Sequence, residues 1–419
     1  MSADRRRGTN RVPAAPVTSP RPGGPCRRIA AALAVSGLLG AAAPHDAARA
    51  ADPILQTEES DIVKLSPGGP HRVLIEDAVY RHNKDGRVYV VDLDTGRLLG
   101  MVQAAYNANV AADPAGRSFY VAETTWERGN RGKRHDMLVA YDPLTLLPTM
   151  DLDLSSRALI TPKKPDLAVS ADGHYIYVYD TSPTNSVHVV DAAKKTEIQT
   201  VDVPGCGLIF PWGPAGFTSV CGDGSLANVQ LDAAGKPALT HTASFFVPDR
   251  DPVYEHSPQV AASGHVWFIS YSGLVYDARL GAQTSVAAPW SIQAAAGLKP
   301  ASDARAPFDI AWRPGGWQLA AVRARDSHLF ILMHKGTFWT HKDPGTELWE
   351  LDLPSHKLVR RIRLAKPSTM VGVTQDSDSR IMLTDEAGDL NVLNGADGKP
   401  VRTIKALGDA IIFTVAPGE

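Results

Sequence analysis

The 419-residue sequence predicts an all-β fold, a seven-bladed β-propeller of four-stranded antiparallel blades. Two observations carry this expectation. A short β-branched or aromatic strand that ends in Asp or Asn and runs into a turn recurs at Asp92, Asp142, Asp191, Asp232, Asp277, Asp352 and Asn394. The spacings are 50, 49, 41, 45, 75 and 42 residues, and a period of about 40–50 residues is that of propeller blades. Each of these strands also follows another apolar strand, at 72–76, 119–123, 175–179, 217–221, 266–271, 329–334 and 381–385. One such unit cannot bury both faces of its sheet, so neighbours stack until the ring closes.

The elements follow in order. Residues 1–50 hold eight arginines, no lysine and two acids, an apolar run from Ile29 to Ala43, and the small-x-small triplet Ala48-Arg49-Ala50. A basic stretch, an apolar core and a cleavage site make a secretory signal. The apolar run is shorter than the roughly 20 residues a membrane span needs. The predicted layout is a cleaved signal peptide over 1–50, an N-terminal arm over 51–69 and the propeller over 70–419, in a soluble protein exported to the periplasm. Sec and twin-arginine export (Arg27-Arg28) both stay open.

Without residues 1–50, Lys plus Arg falls from 43 to 35 and Asp plus Glu from 45 to 43, so the net charge moves from −2 to −8. An acidic chain argues against nucleic acid, whose phosphates recruit clustered cations. Cys26 leaves with the signal. Cys206 and Cys221 then form an even pair in an oxidising compartment, where a disulfide is the default, worth roughly 3 kcal/mol by loop-closure entropy. Two free thiols are the alternative.

Within each repeat the corner Asp is placed to cap the amides of the following turn, as in Asp94-Thr-Gly96. The terminal strand 411–415 is expected to complete the first blade and lock the ring. The long interval holds an insertion from Pro289 to Gly316, in which 291–298 (SIQAAAGL) suits a short helix; long loops in compact domains usually serve function or partner binding. A basic insertion, ERGNRGKRHD, fills 127–136. Its Arg128, Arg131, Lys133 and Arg134 fit either a solvated loop or, on an acidic protein, a docking patch for an acidic partner.

Signatures of catalysis are missing from the sequence: no nucleophile elbow, P-loop, dinucleotide fingerprint or zinc-protease helix occurs. His334 and His341 flank a Gly-Thr-Phe-Trp loop without a third ligand nearby, and Asp376-Ser-Asp378 lacks the glycine and terminal glutamate of a calcium loop. The expected reading is no metal site.

Four segments point further: 131–154 (RGKRHDMLVAYDPLTLLPTMDLDL), 221–229 (CGDGSLANV), 312–318 (WRPGGWQ) and 329–349 (LFILMHKGTFWTHKDPGTELW). They resemble the large subunit of tryptophan tryptophylquinone amine dehydrogenases, in the same order and from about residue 70 to the C-terminus. Residues 340–344 (THKDP) and 244–258 (SFFVPDRDPVYEHSP) resemble the aromatic (aralkyl) amine enzyme more than methylamine dehydrogenase. The resemblance implies a heterotetramer of two large and two small subunits. The small subunit carries the quinone and the catalytic base, a primary amine is oxidised to aldehyde and ammonia, and electrons pass to a blue copper protein of the azurin or amicyanin type. No catalytic residue and no cofactor is then expected on this chain. The resemblance also places the large subunit's disulfide on Cys206 and Cys221 and a substrate-channel aromatic on Tyr106 in AAYNANV (104–110), where the family usually has Phe. It makes the loop 128–134 a candidate contact for the small subunit.

Overall fold

The computed structural model describes residues 63–78 and 83–408 and the backbone of strand Ile411–Val415. The expected signal peptide (1–50) and most of the expected N-terminal arm (51–69) fall outside the described residues.

Alternating β-branched and aromatic residues make strands the predominant regular structure, and one α-helix, Ile292–Ala295, occurs among the described residues. All fourteen strands expected from the repeat are present. The Asp-ended strands are Gly86–Asp92, Arg134–Tyr141, Ser186–Asp191, Leu226–Leu231, Leu274–Arg279, Gly345–Asp352 and Leu390–Asn394. Each pairs antiparallel with the strand before it, as Phe119–Tyr141 and Trp126–Arg134 do in the second pair.

The corner acid does what its position predicts. Asp92 Oδ1 accepts from the amides of Asp94 and Thr95 at 2.9 and 2.8 Å, and Asp142, Asp191, Asp232, Asp352 and Asn394 cap their turns likewise. Asp277 departs from the pattern. Its strand continues to Arg279, so the carboxylate lies within the sheet and pairs with His265 across it.

The strands form antiparallel sheets, three of them of four or five strands. The remaining two hold seven and eight strands because two long strands each belong to two neighbouring groups. The first part of Arg97–Ala112 pairs with Gly86–Asp92 and its last part with Phe119–Trp126; Lys357–Val373 likewise pairs with Gly345–Asp352 and then Arg380–Asp385. Apolar clusters fill the spaces between consecutive groups. Tyr177, Val187 and Val189 pack on Phe217, Ala227 and Val229, and Trp267 and Ile269 pack on Leu329 and Ile331. Val73, Ile75 and Val91 of the first group pack on Met382, Leu390 and Val392 of the last. Strand Ile411–Val415 pairs antiparallel with Arg72–Asp77, Leu74 facing Val415. First and last groups are therefore joined by side chains and backbone alike, and the sheets are arranged as in a β-propeller.

Both insertions extend from this frame. Residues 127–133 cap the hairpin between Phe119–Trp126 and Arg134–Tyr141, closed by Glu127 N donating to Lys133 O at 3.1 Å. The expected short helix starts at Ile292, with Ser291 Oγ accepting from Ala294 N at 3.2 Å, a side-chain cap for an orphan amide. Cys206 and Cys221 face each other on paired strands and form a disulfide.

Candidate functional site

Each long strand crosses from one sheet group to the next at the molecular face that also carries the hairpin tips following residues 126 and 336. Tyr106 sits at such a crossing, half-buried. Its ring meets Trp126 edge-on at 5.6 Å, and Lys84 Nζ lies 3.9 Å above the same indole while donating to Asn130 O at 3.0 Å. Tyr106 and the basic loop are thus neighbours on one face. Arg128, Arg131 and Lys133 are exposed at the loop's tip. Arg134 is tied down by Asp136 at 2.8 Å and by a bond to Arg157 O.

The backbone on either side of Tyr106 is left-handed, with φ of 39° at Ala105 and 49° at Asn107. Non-glycine residues pay about 1–2 kcal/mol for such a conformation. The bend also passes so close to Gly86 that a Cβ there would lie 2.7 Å from Ala105 O. The connection 157–163 holds the bend from beneath. Arg157 Nη2 donates to Asn107 O at 2.5 Å and Asn109 Oδ1 at 2.6 Å, Asn107 Nδ2 donates to Leu159 O, and Asn109 Nδ2 donates to Lys163 O at 2.7 Å.

Arg157 is fully buried, and buried acids surround it. Burial lowers its guanidinium to about 10 against the pull of Asp166, Asp136, Glu76 and Glu123. Burial pushes Glu76 well above the usual carboxylate range and raises Glu123 to about 7, in both cases against the attraction of Arg157. Asp166 is raised to about 7 by burial, opposed by Lys163, by a bond from the Lys163 amide and by Arg157. Both carboxyl oxygens of Glu76 are buried without a hydrogen-bond partner among the described residues. One cation faces several carboxyls in a medium that cannot solvate charge, so the acids keep protons that they would lose in water. Sequence reasoning missed this cluster. Its available signal was a Glu at the end of each of two otherwise apolar inner strands, RVLIE and FYVAE.

The same face continues away from Tyr106. Lys163 pairs with Glu255 at 2.8 Å, whose charge reaches both Tyr271 and His341; these two rings stack with centroids 4.1 Å apart. His334 Nε2 lies 2.7 Å from Thr340 Oγ1, and burial lowers both histidines below their ordinary value. Phe338 N bonds Pro307 O, joining this loop to the long insertion. In the segments so linked, Ile160 (92% exposed), Phe308 (84%), Ile310 (76%) and Trp339 (60%) expose apolar side chains.

A group with metal-ligand spacing among the described residues is Cys206, Cys221 and His241, and its two sulfurs are spent in the disulfide. No described helix is long and apolar enough to cross a membrane.

A family model described as methylamine dehydrogenase heavy chain matches residues 70–416. The methylamine dehydrogenase heavy chain of Paracoccus versutus is 30% identical over 357 residues, 84% of this chain and 81% of that protein. That of Methylorubrum extorquens is 29% identical over 387 residues, 90% and 92% of the two chains. Among solved structures, a functionally unknown protein from Desulfotomaculum acetoxidans superposes with a TM-score of 0.55 at 12% identity, over 82% of this chain and 98% of that one. Dihydro-heme d1 dehydrogenase NirN gives 0.52 at 14% identity, over 84% and 77%. At such identities these two structures bear on the fold alone.

Proposed function

Because the chain belongs to the methylamine dehydrogenase heavy chain family, we propose that it is the large subunit of a periplasmic quinoprotein amine dehydrogenase. In this reading it is a seven-bladed propeller, its two long strands each serving as the outer strand of one blade and the inner strand of the next. It scaffolds a small subunit that carries tryptophan tryptophylquinone and the catalytic base, in a two-plus-two assembly. A primary amine leaves as aldehyde and ammonia, and a blue copper protein takes the electrons.

The observation that supports this reading is that the Tyr106 ring meets Trp126, whose indole Lys84 ties to the basic loop at Asn130. Exposed Phe308, Ile310, Trp339 and Ile160, with exposed Arg128, Arg131 and Lys133, suit an apolar contact with an acidic rim. Tyr106 at the edge of that contact would line the path of the amine to the quinone. When bound alongside, the quinone supplies the electrophilic carbonyl and accepts the electrons; this chain's residues shape the entrance and exclude water.

Two substrate classes compete. The resemblance of residues 244–258 and 340–344 supports an aralkyl amine, whereas the relatives named above support methylamine. Purification of the chain from its native source, with a visible spectrum before and after each amine, tests the whole reading. A small co-purifying subunit whose quinone band bleaches supports it, and the amine that bleaches at lower concentration assigns the class. A colourless chain that purifies alone overturns it.

A further inference from the structure

The bend around Tyr106 stores strain that its own sequence does not relieve. Two non-glycine residues in left-handed conformation flank one ring, and the bonds that hold them come from the connection 157–163. Arg157 is central among these. Its guanidinium contacts both the Asn107 carbonyl and the Asn109 side chain. Its own carbonyl is held by Arg134, next to the basic loop.

We propose that Arg157 is a positioning residue for amine selectivity, its buried guanidinium fixing the left-handed bend that presents the Tyr106 ring. This rests on the reading that Tyr106 lines the substrate channel. An arginine suits the task because the two N–H bonds of its Nη2 lie in the fixed guanidinium plane and reach both acceptors at once, whereas a lysine ammonium is a freely rotating, strongly hydrated point charge. The surrounding carboxyls suit it too. Asp166 and Asp136 pull most strongly toward keeping the buried guanidinium charged, and burial opposes them. Arg157 itself is fully buried, so it reaches substrate through the bend and not by contact.

The test uses the assembled enzyme and three variants, Arg157→Lys, Tyr106→Ala and the double variant, with methylamine and 2-phenylethylamine as substrates. Arg157→Lys keeps the charge and removes the planar Nη2 that bonds both acceptors. It is expected to shift the ratio of kcat/KM between the two amines in the direction of Tyr106→Ala, by roughly tenfold and mainly through KM. The double variant is expected to match Tyr106→Ala alone, since both changes remove one interaction. Equal loss with both amines, or a shift that adds to that of Tyr106→Ala, overturns the proposal.

Hydrogen exchange of peptide 104–110 separates this proposal from the channel reading. If Tyr106→Ala leaves the ratio unchanged, the channel reading fails. Faster exchange in Arg157→Lys then still shows the guanidinium holding the bend, and unchanged exchange removes it from that task. Should Arg157→Lys not fold, Asn109→Ala takes away one of the two acceptors of Arg157 Nη2 and is expected to shift the ratio the same way by a smaller factor.

Discussion

Glu350 lies buried between two sheet groups and binds Arg323 at 3.0 Å through Oε1 while Arg360 holds its other oxygen. His328 Nδ1 adds a third contact at 2.7 Å, and Arg323 goes on to Ser379 Oγ and Gly395 O in the next group. The acid therefore anchors two arginines that both reach Gly395 in the next group. Glu350→Ala removes the carboxylate they share, and because Arg323 keeps Asp326 at 2.8 Å the loss should lie below the roughly 3–5 kcal/mol of a fully broken buried pair. Denaturant unfolding followed by circular dichroism should show that loss, with Glu350→Gln recovering part of it; an unchanged midpoint for Glu350→Ala contradicts the assignment.

Tyr106→Ala removes the ring that meets Trp126 but no contact between sheets. It should change the preference between a short and an aromatic amine while the small subunit still co-purifies. Tyr106→Phe keeps the ring and should change preference by less than the alanine variant. Identical kinetics for wild type and Tyr106→Ala with both amines would remove the residue from the channel.

Stability should fall with rising pH between about 5 and 7. Glu123 and Asp166 titrate near 7 in the fold, above their ordinary values of 4.5 and 3.8. Between those limits the folded chain binds more protons than the unfolded one, so unfolding free energy declines as pH rises. His256 acts with the opposite sign. Burial first, and the charge of Lys164 second, lower it to about 3, so its contribution is complete above 6.5 and is lost as pH falls toward 3. Glu123→Gln deletes one falling contribution, whose upper bound is roughly 3 kcal/mol for a change from 4.5 to 7. Melting temperatures at pH 5 and pH 7.5 should lie closer together in Glu123→Gln than in the wild type, and equal spacing in both proteins would contradict the buried proton.

Reduction of the Cys206–Cys221 bond, or Cys206→Ser with Cys221→Ser, should lower stability by roughly 3 kcal/mol. The two strands stay paired through their backbone, so the fold should survive the change at ambient temperature. Thiol titration of the denatured, unreduced mature protein should find no free sulfhydryl, and two would refute the bond.

The repeat was legible because its strands end in a residue with a local task. Asp92 and Asp142 bind turn amides two and three residues on, so their chemistry is written within a few positions. Asp277 broke the pattern because its partner, His265, lies on the adjacent strand, where spacing alone does not point. The support for Tyr106 was illegible for the same reason. Arg157 meets Asn107 and Asn109 from a different sheet connection, and Glu76 and Glu123 come from two more strands. Local spacing reveals turns and periods; a cluster built from four segments emerges only once the sheets are stacked.

The pairing of Ile411–Val415 with Arg72–Asp77 has a consequence for how the molecule is made. Until Ile411–Val415 arrives, Arg72–Asp77 has an unpaired edge, and an open β edge invites pairing with other chains. This pairing joins segments more than three hundred residues apart, a slow step for any chain with so many distant contacts. The folding molecule therefore carries its most association-prone edge until its most distant contact has formed.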